Sequence, residues 1–183
     1  HKLEVLCRVL DSREINSAII FCKTKRSVDE LAIELNKRNY SVLSMHGDMT
    51  QTQRLETLNR FKKGLVKILV ASDVAARGID IENMSHVINY EMPSDDEFYI
   101  HRIGRCGRAS KKGEAISIVT RNERDDLLKI VKGHHTTIKK MIPPRQKEIF
   151  DYQMEQLFRS IEESIQNKDL KNFYNLAKNM NPK

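Results

Sequence analysis

The chain has 183 residues, 39% of them hydrophobic and 31% charged, with a formal net charge of +7. That length holds one well-cored domain with room for an appendage, and that balance of apolar and charged residues excludes a disordered chain. No apolar run is long enough for a membrane-spanning helix, and an excess of positive charge on this scale points to an anionic partner, most commonly nucleic acid.

The start, His1-Lys2-Leu3-Glu4, carries neither an initiator Met nor the apolar core of a signal peptide, so the chain is expected to be cut from something longer. Cys7, Cys22 and Cys106 are odd in number and form no C-x-x-C pair. Free thiols in a reducing, cytoplasmic setting are therefore expected, with no disulfide framework and no metal site. From Arg145 to Lys183 seven basic residues face six acidic ones, which is +1, so the first 144 residues hold the other +6.

In chain order, Ala18-Ile19-Ile20-Phe21-Cys22 reads as a buried strand. Ser27 to Asn36 follows as a helix, with Val28, Leu31, Ala32 and Leu35 at helical spacing. Ser41 to Met45 is a second strand, and Gln51 to Lys62 a helix with Leu55, Leu58 and Phe61 inward and Gly64 closing it. Lys67 to Ala71 is the third strand and His86 to Tyr90 the fourth. Ser94-Asp95-Asp96-Glu97 has the capping-box pattern of a helix start. Gly113 to Thr120 is the fifth strand, and a helix from about Asn122 to Lys132 closes the series. Strands alternating with helices imply an α/β fold, a mostly parallel sheet with helices on both faces.

Pro143-Pro144 then breaks regular structure. Phe150, Met154, Leu157, Phe158, Ile161 and Ile165 keep three-and-four spacing in one helix, and Leu170, Phe173, Tyr174, Ala177 and Met180 in a second. A helical hairpin with one apolar face is expected, which either packs back on the sheet or meets a partner. The expected boundaries are thus an α/β domain over residues 1–142 and a helical extension over residues 143–183.

Ligands of parallel sheets sit beyond the carboxyl ends of the strands. Lys23-Thr24-Lys25-Arg26 follows the first strand, His46-Gly47-Asp48 the second, and Ser72-Asp73-Val74-Ala75-Ala76-Arg77-Gly78-Ile79-Asp80 the third. His101-Arg102-Ile103-Gly104-Arg105-Cys106-Gly107-Arg108 ends the helix after the fourth. Guanidinium forks beside glycines suit a polyanion, above all a nucleoside triphosphate. Taken alone the octet also fits a solvated basic loop, the lesser reading; four segments aimed at one rim favour a site.

With these segments in order, the chain resembles the second RecA-like domain of DEAD-box RNA helicases over about residues 1 to 140. Ile20 to Lys25 resembles motif IV, Gln51-Thr52-Gln53-Arg54 the Q-x-x-R element, Ser72 to Asp80 motif V, and His101 to Arg108 motif VI. The resemblance implies that Arg105 and Arg108 grip the phosphates of ATP, with Arg108 as the arginine finger, and that Gly78 and Asp80 meet the ribose. It implies RNA-backbone contacts from Thr24, Gln51, Arg54 and Ser72, and coupling to a partner domain through Arg77, His101 and Arg102. Cys106 is expected to face the core. The phosphate loop, the Asp-Glu-Ala-Asp segment and the Ser-Ala-Thr motif are not in the sequence. The resemblance puts them, and the magnesium ion, on an N-terminal RecA-like domain, so this chain alone is expected to be inactive as an ATPase. The tail resembles the start of the helical dimerisation region of bacterial cold-shock-type members, which implies a homodimer through residues 150–180. A non-catalytic RNA-binding or dimerisation module is the alternative reading, and the matching domain of a DNA helicase another.

Overall fold

The computed structural model describes residues 1–76, 81–93, 95–107, 113–134 and 137–166. Five short runs rich in β-branched and apolar residues become β1 (Ala18–Cys22), β2 (Val42–Met45), β3 (Ile68–Ser72), β4 (His86–Asn89) and β5 (Glu114–Ser117). They form one sheet in the order β2-β3-β1-β4-β5, and every neighbouring pair is parallel. β1, β3 and β4 are buried along their whole length, as strands covered on both faces must be.

The register lines up the ends that matter. Cys22 lies opposite Ser72, Phe21 opposite Asn89, and Asn89 opposite Ser117. The chain leaves β1 toward β2 on one side of the sheet order and reaches β4 on the other, so the crevice of a doubly wound sheet opens at the carboxyl end of β1.

Connecting helices are α2 (Lys25–Lys37), α3 (Gln51–Lys62), α4 (Asp73–Ala76), α5 (Asp96–Ile103) and α6 (Arg124–Gly133). Ile19, Phe21, Leu69, Ala71 and Val87 pack with Phe61 of α3 and with Ala75 and Ala76 of α4. Alternate residues point the other way. The right-handed crossover required between parallel strands puts α2 on that opposite face, where it buries Val28, Leu31, Ala32 and Leu35. A second cluster joins Tyr99 of α5 to Leu127 and Ile130 of α6. This is the RecA-like α/β arrangement expected from the sequence.

Three details depart from the sequence reading. In α3 the buried residues are Thr57 and Phe61, while Leu55 is 52% exposed. Leu55 sits six positions, about 600°, before Phe61, which turns it off the stripe that Phe61 defines. Helix α1 (Lys2–Asp11) was not anticipated, although Leu3, Leu6, Cys7 and Leu10 have helical spacing and Leu6 and Leu10 are buried. The helix after β4 starts one residue later than the pattern suggested: Asp95 is the N-cap and its side chain accepts from the Glu97 amide. Ser94 lies outside the described residues.

The chain divides into two compact units, residues 1–6 with 14–141 and residues 7–13 with 142–183. In the second, α7 (Gln146–Gln166) buries Ile149 and leaves Phe150, Phe158 and Ile165 about three-fifths exposed. The second helix of the expected hairpin lies outside the described residues. No disulfide joins Cys7, Cys22 or Cys106.

Candidate functional site

The loop after β1 is fixed from two sides. The Lys23 amide donates to the Glu91 carboxylate at 2.6 Å. Thr24 is the N-cap of α2: its Oγ1 accepts from the Ser27 amide at 3.0 Å and lies 2.8 Å from Ser27 Oγ. Lys25 reaches across to Asp48 in the loop after β2, and that hydrogen bond holds the Asp48 carboxyl below its usual range. His46 Nε2 lies 3.1 Å from Asp29, and its buried Nδ1 has no hydrogen-bond partner among the described residues.

Helix α3 opens with a capping box. Thr50 Oγ1 accepts from the Gln53 amide at 3.3 Å, and the Thr50 amide donates to Gln53 Oε1 at 2.9 Å. That leaves Gln51 exposed on the first turn. One turn on, Arg54 is half-buried and donates from Nη2 to the Ala75 carbonyl at 3.0 Å, tying α3 to α4. Ser72 ends β3 and is 6% exposed.

Arg102 is the hub. Its side chain is 1% exposed, and Nε and Nη2 donate to the two Asp73 oxygens at 2.6 and 2.7 Å. Nη1 donates to Asn89 Oδ1 at 3.0 Å and to the Glu91 carbonyl at 2.7 Å. The guanidinium carbon stands 4.9 Å from the centroid of the Phe21 ring, within reach of a cation–π contact. Arg102 thus joins the ends of β1, β3 and β4 to α5. Its charged group is enclosed, with four of its five donors on acceptors within this domain.

Past Arg102 the helix ends at Gly104, whose Cβ would stand 3.1 Å from the Ile100 carbonyl. Arg105 follows half-buried, its own carbonyl accepting from the Met84 amide at 3.0 Å. Gly107 has φ +36°, a conformation that favours glycine, and its amide returns to the Met84 carbonyl at 3.1 Å. Cys106 pairs with Met84 in a parallel bridge and packs against the main core, as expected, and burial pushes its thiol pKa up. Gly113 is pressed against this loop: a Cβ there would stand 2.6 Å from Cys106 Sγ and 2.7 Å from the Gly107 nitrogen.

Thr24, Gln51, Arg54 and Ser72 therefore end or follow strands at the carboxyl end of the sheet, whereas His101 lies on α5 and Arg105 in the loop beyond it, where the Arg105 carbonyl meets the amide of Met84, two residues before β4. His101 is exposed on α5, opposite in character to Arg102 beside it. Arg77, Gly78, Asp80 and Arg108 lie outside the described residues. No three His, Cys, Asp or Glu side chains gather into a possible metal site among the described residues. Asp73, Asn89 and Glu91 fix the rim, and the sequence reading gave them no role. The available signal was a lone Asn closing an apolar strand run, His-Val-Ile-Asn.

Residues 1–110 match the helicase conserved C-terminal domain. The chain belongs to that family. DEAD-box proteins are among those it is similar to. It is 39% identical to E. coli DEAD-box protein SrmB, solved bound to regulator of ribonuclease activity A, with a TM-score of 0.73 over 78% of this chain and 84% of that one. It is 41% identical over 179 residues to the DEAD-box ATP-dependent RNA helicase CshA of Bacillus cereus, and 42% identical over 176 residues to CshA of Geobacillus kaustophilus. Those matches cover 98% and 96% of this chain but 34% and 38% of the relatives, so the chain spans little more than a third of their length.

Proposed function

We propose that this chain is the second half of an ATP-dependent RNA helicase, closing with an N-terminal RecA-like domain over ATP and RNA. The observation that carries the reading is the convergence of α3, α4 and α5 on one rim, with Arg54 bonded to Ala75 and Arg102 to Asp73. The guanidinium groups of Arg105 and Arg108 neutralise charge at the transferring phosphoryl group, with Arg108 as the finger; Gly78 and Asp80 receive the ribose. His101 and Arg77 face the first domain, which carries the magnesium ion and the phosphate loop.

RNA runs across Thr24, Gln51, Arg54 and Ser72 as a backbone ligand, so recognition is largely independent of sequence. Thr24 Oγ1 already accepts from the Ser27 amide and lies 2.8 Å from Ser27 Oγ, so its hydroxyl has one hydrogen-bonding position left for RNA. Alone, the chain lacks half of the nucleotide site and does not turn ATP over. Among the described residues no helix is long and apolar enough to cross a membrane. The test is Arg108→Ala in a protein carrying this chain behind an ATP-binding first domain. RNA-stimulated turnover is expected to fall by orders of magnitude with RNA affinity nearly unchanged. A loss of less than about tenfold overturns the finger assignment.

The exposed Phe150, Phe158 and Ile165 on α7 support a second element of the reading, a homodimer through residues 150–180. Sedimentation equilibrium of this chain against a form ending at Ile142 tests it. A concentration-dependent dimer lost on truncation is expected; monomers in both overturn it.

A further inference from the structure

Asn89 is 0% exposed and closes β4, a strand whose other three residues are His86, Val87 and Ile88. A buried amide in such a place is costly unless both of its ends are satisfied, and an apolar residue would fill the space without that cost. Both ends are used. Oδ1 accepts from Arg102 Nη1 at 3.0 Å, and Nδ2 donates to Ser117 Oγ at 3.1 Å across the β4–β5 register pair. Ser117 Oγ in turn donates to the Tyr99 hydroxyl at 3.4 Å.

Tyr99 and Arg102 are three residues apart on α5, on one face of the helix. Two routes therefore leave Asn89 and reach α5 one turn apart, one directly through Arg102 and one through Ser117 and Tyr99. Two anchors on the same face fix both the rotation of the helix and its position along its axis. Arg105 lies one turn beyond Arg102. On its far side the same guanidinium holds Asp73, the residue after Ser72.

We infer that Asn89 is a positioning residue: through Arg102 it holds α5, and with it Arg105, in register with the Ser72–Asp73 end of β3. The inference rests on the nucleotide and RNA roles proposed above for Arg105 and Ser72. Asn89 touches neither ligand. It sets the distance between the two groups that do, and catalysis by positioning is sensitive to displacements of about 1 Å, which cost on the order of 100-fold.

The experiment measures RNA-stimulated ATPase and thermal melting in a protein carrying this chain behind an ATP-binding first domain. Asn89→Leu keeps the shape and removes the acceptor; Asn89→Asp keeps the acceptor and removes the donor to Ser117. Asn89→Leu is expected to lower kcat by about 10- to 100-fold with little change in KM for ATP. Asn89→Asp is expected to return to within about threefold of the parent, although it melts lower. Should Asn89→Leu fail to fold, Asn89→Ser, too short to reach Arg102, takes its place with the same expectation. An unchanged kcat in the variant lacking the acceptor, or losses in both variants that merely follow their melting temperatures, overturns the inference. Arg105→Ala runs in parallel: normal turnover there removes the nucleotide role of Arg105 and the inference with it. A dead Arg105→Ala beside a normal Asn89→Leu removes the inference alone.

Discussion

Asp73 and Arg102 meet as two parallel forks, with nitrogen–oxygen distances of 2.6 and 2.7 Å and the arginine side chain 1% exposed. The pair links the first residue of α4 to the last turn of α5, two residues 29 positions apart in the chain. Two-point geometry fixes the relative orientation of the elements as well as their distance. Burial makes the arrangement costly to half-dismantle, since a guanidinium that loses its carboxylate stays enclosed and charged.

Asp73→Ala is therefore expected to destabilise the folded chain by about 3 to 5 kcal/mol, the range for breaking a buried pair from one side. Urea unfolding followed by circular dichroism checks it through the midpoint. A shift worth less than about 1 kcal/mol, the value of an exposed pair, means that water reaches Arg102.

Gly113 and Gly133 make opposite predictions for the same substitution. A Cβ at Gly113 meets Cys106 Sγ at 2.6 Å, the Gly107 nitrogen at 2.7 Å and the Met84 carbonyl at 2.8 Å. Two of those neighbours are backbone, so β5 or the loop after α5 must move, and Gly113→Ala is expected to cost about 1 to 3 kcal/mol. At Gly133, the last residue of α6, a Cβ meets nothing within 4 Å. Gly133→Ala is expected to gain about 0.4 to 1 kcal/mol by reducing the freedom of the unfolded chain. Thermal melting of the two variants checks the sign of each.

The sheet was legible because its strands are buried on both faces: Ala18–Cys22 and Ile68–Ser72 are unbroken apolar runs ended by polar residues. The carboxyl end of the sheet was legible for the same reason, since Thr24 follows and Ser72 ends a strand that the apolar pattern marks. What sequence spacing did not disclose was the inward side of the rim. Arg102 and Arg105 are both arginines in one octet, yet Arg102 is enclosed and Arg105 half-buried, a difference set by Asp73 at the start of α4 and Asn89 at the end of β4. Local patterns say which residues share a helix face; they do not say which acceptors stand opposite. Leu55 was misassigned for a related reason. Buried Thr57 holds the inward position on α3, and a Thr does not announce itself as core.

Thr50 contributes to the site from outside it. Its capping box with Gln53 satisfies two backbone amides at the start of α3, the turn that carries Gln51 and Arg54. Thr50→Ala is expected to cost about 1 kcal/mol of stability. Fraying of that first turn is also expected to weaken RNA binding, because Arg54 loses its fixed approach to the Ala75 carbonyl. Filter binding against salt concentration checks the second effect. Equal affinity and slope in the variant and the parent mean that Arg54 is held by Ala75 alone.

Glu34 gives the chain a predictable acid response. Lys37 first, and then Arg38, donate to its carboxylate at 2.8 Å from the last turn and C-cap of α2, and they hold its pKa down from 4.5 to about 2. A carboxyl whose pKa is lower folded than unfolded adds stability that is complete above the unfolded value and lost as pH falls toward the folded one. The window is thus pH 4.5 down to about 2. The three side chains are 39 to 66% exposed, so water and salt screen the cluster and its contribution is small. Glu34→Gln is expected to flatten the decline of the urea midpoint across that window relative to the parent, and 0.5 M salt, at roughly half the Debye length of physiological buffer, to narrow the difference. Parallel curves at low salt mean that Lys37 and Arg38 spend their time in water rather than on Glu34.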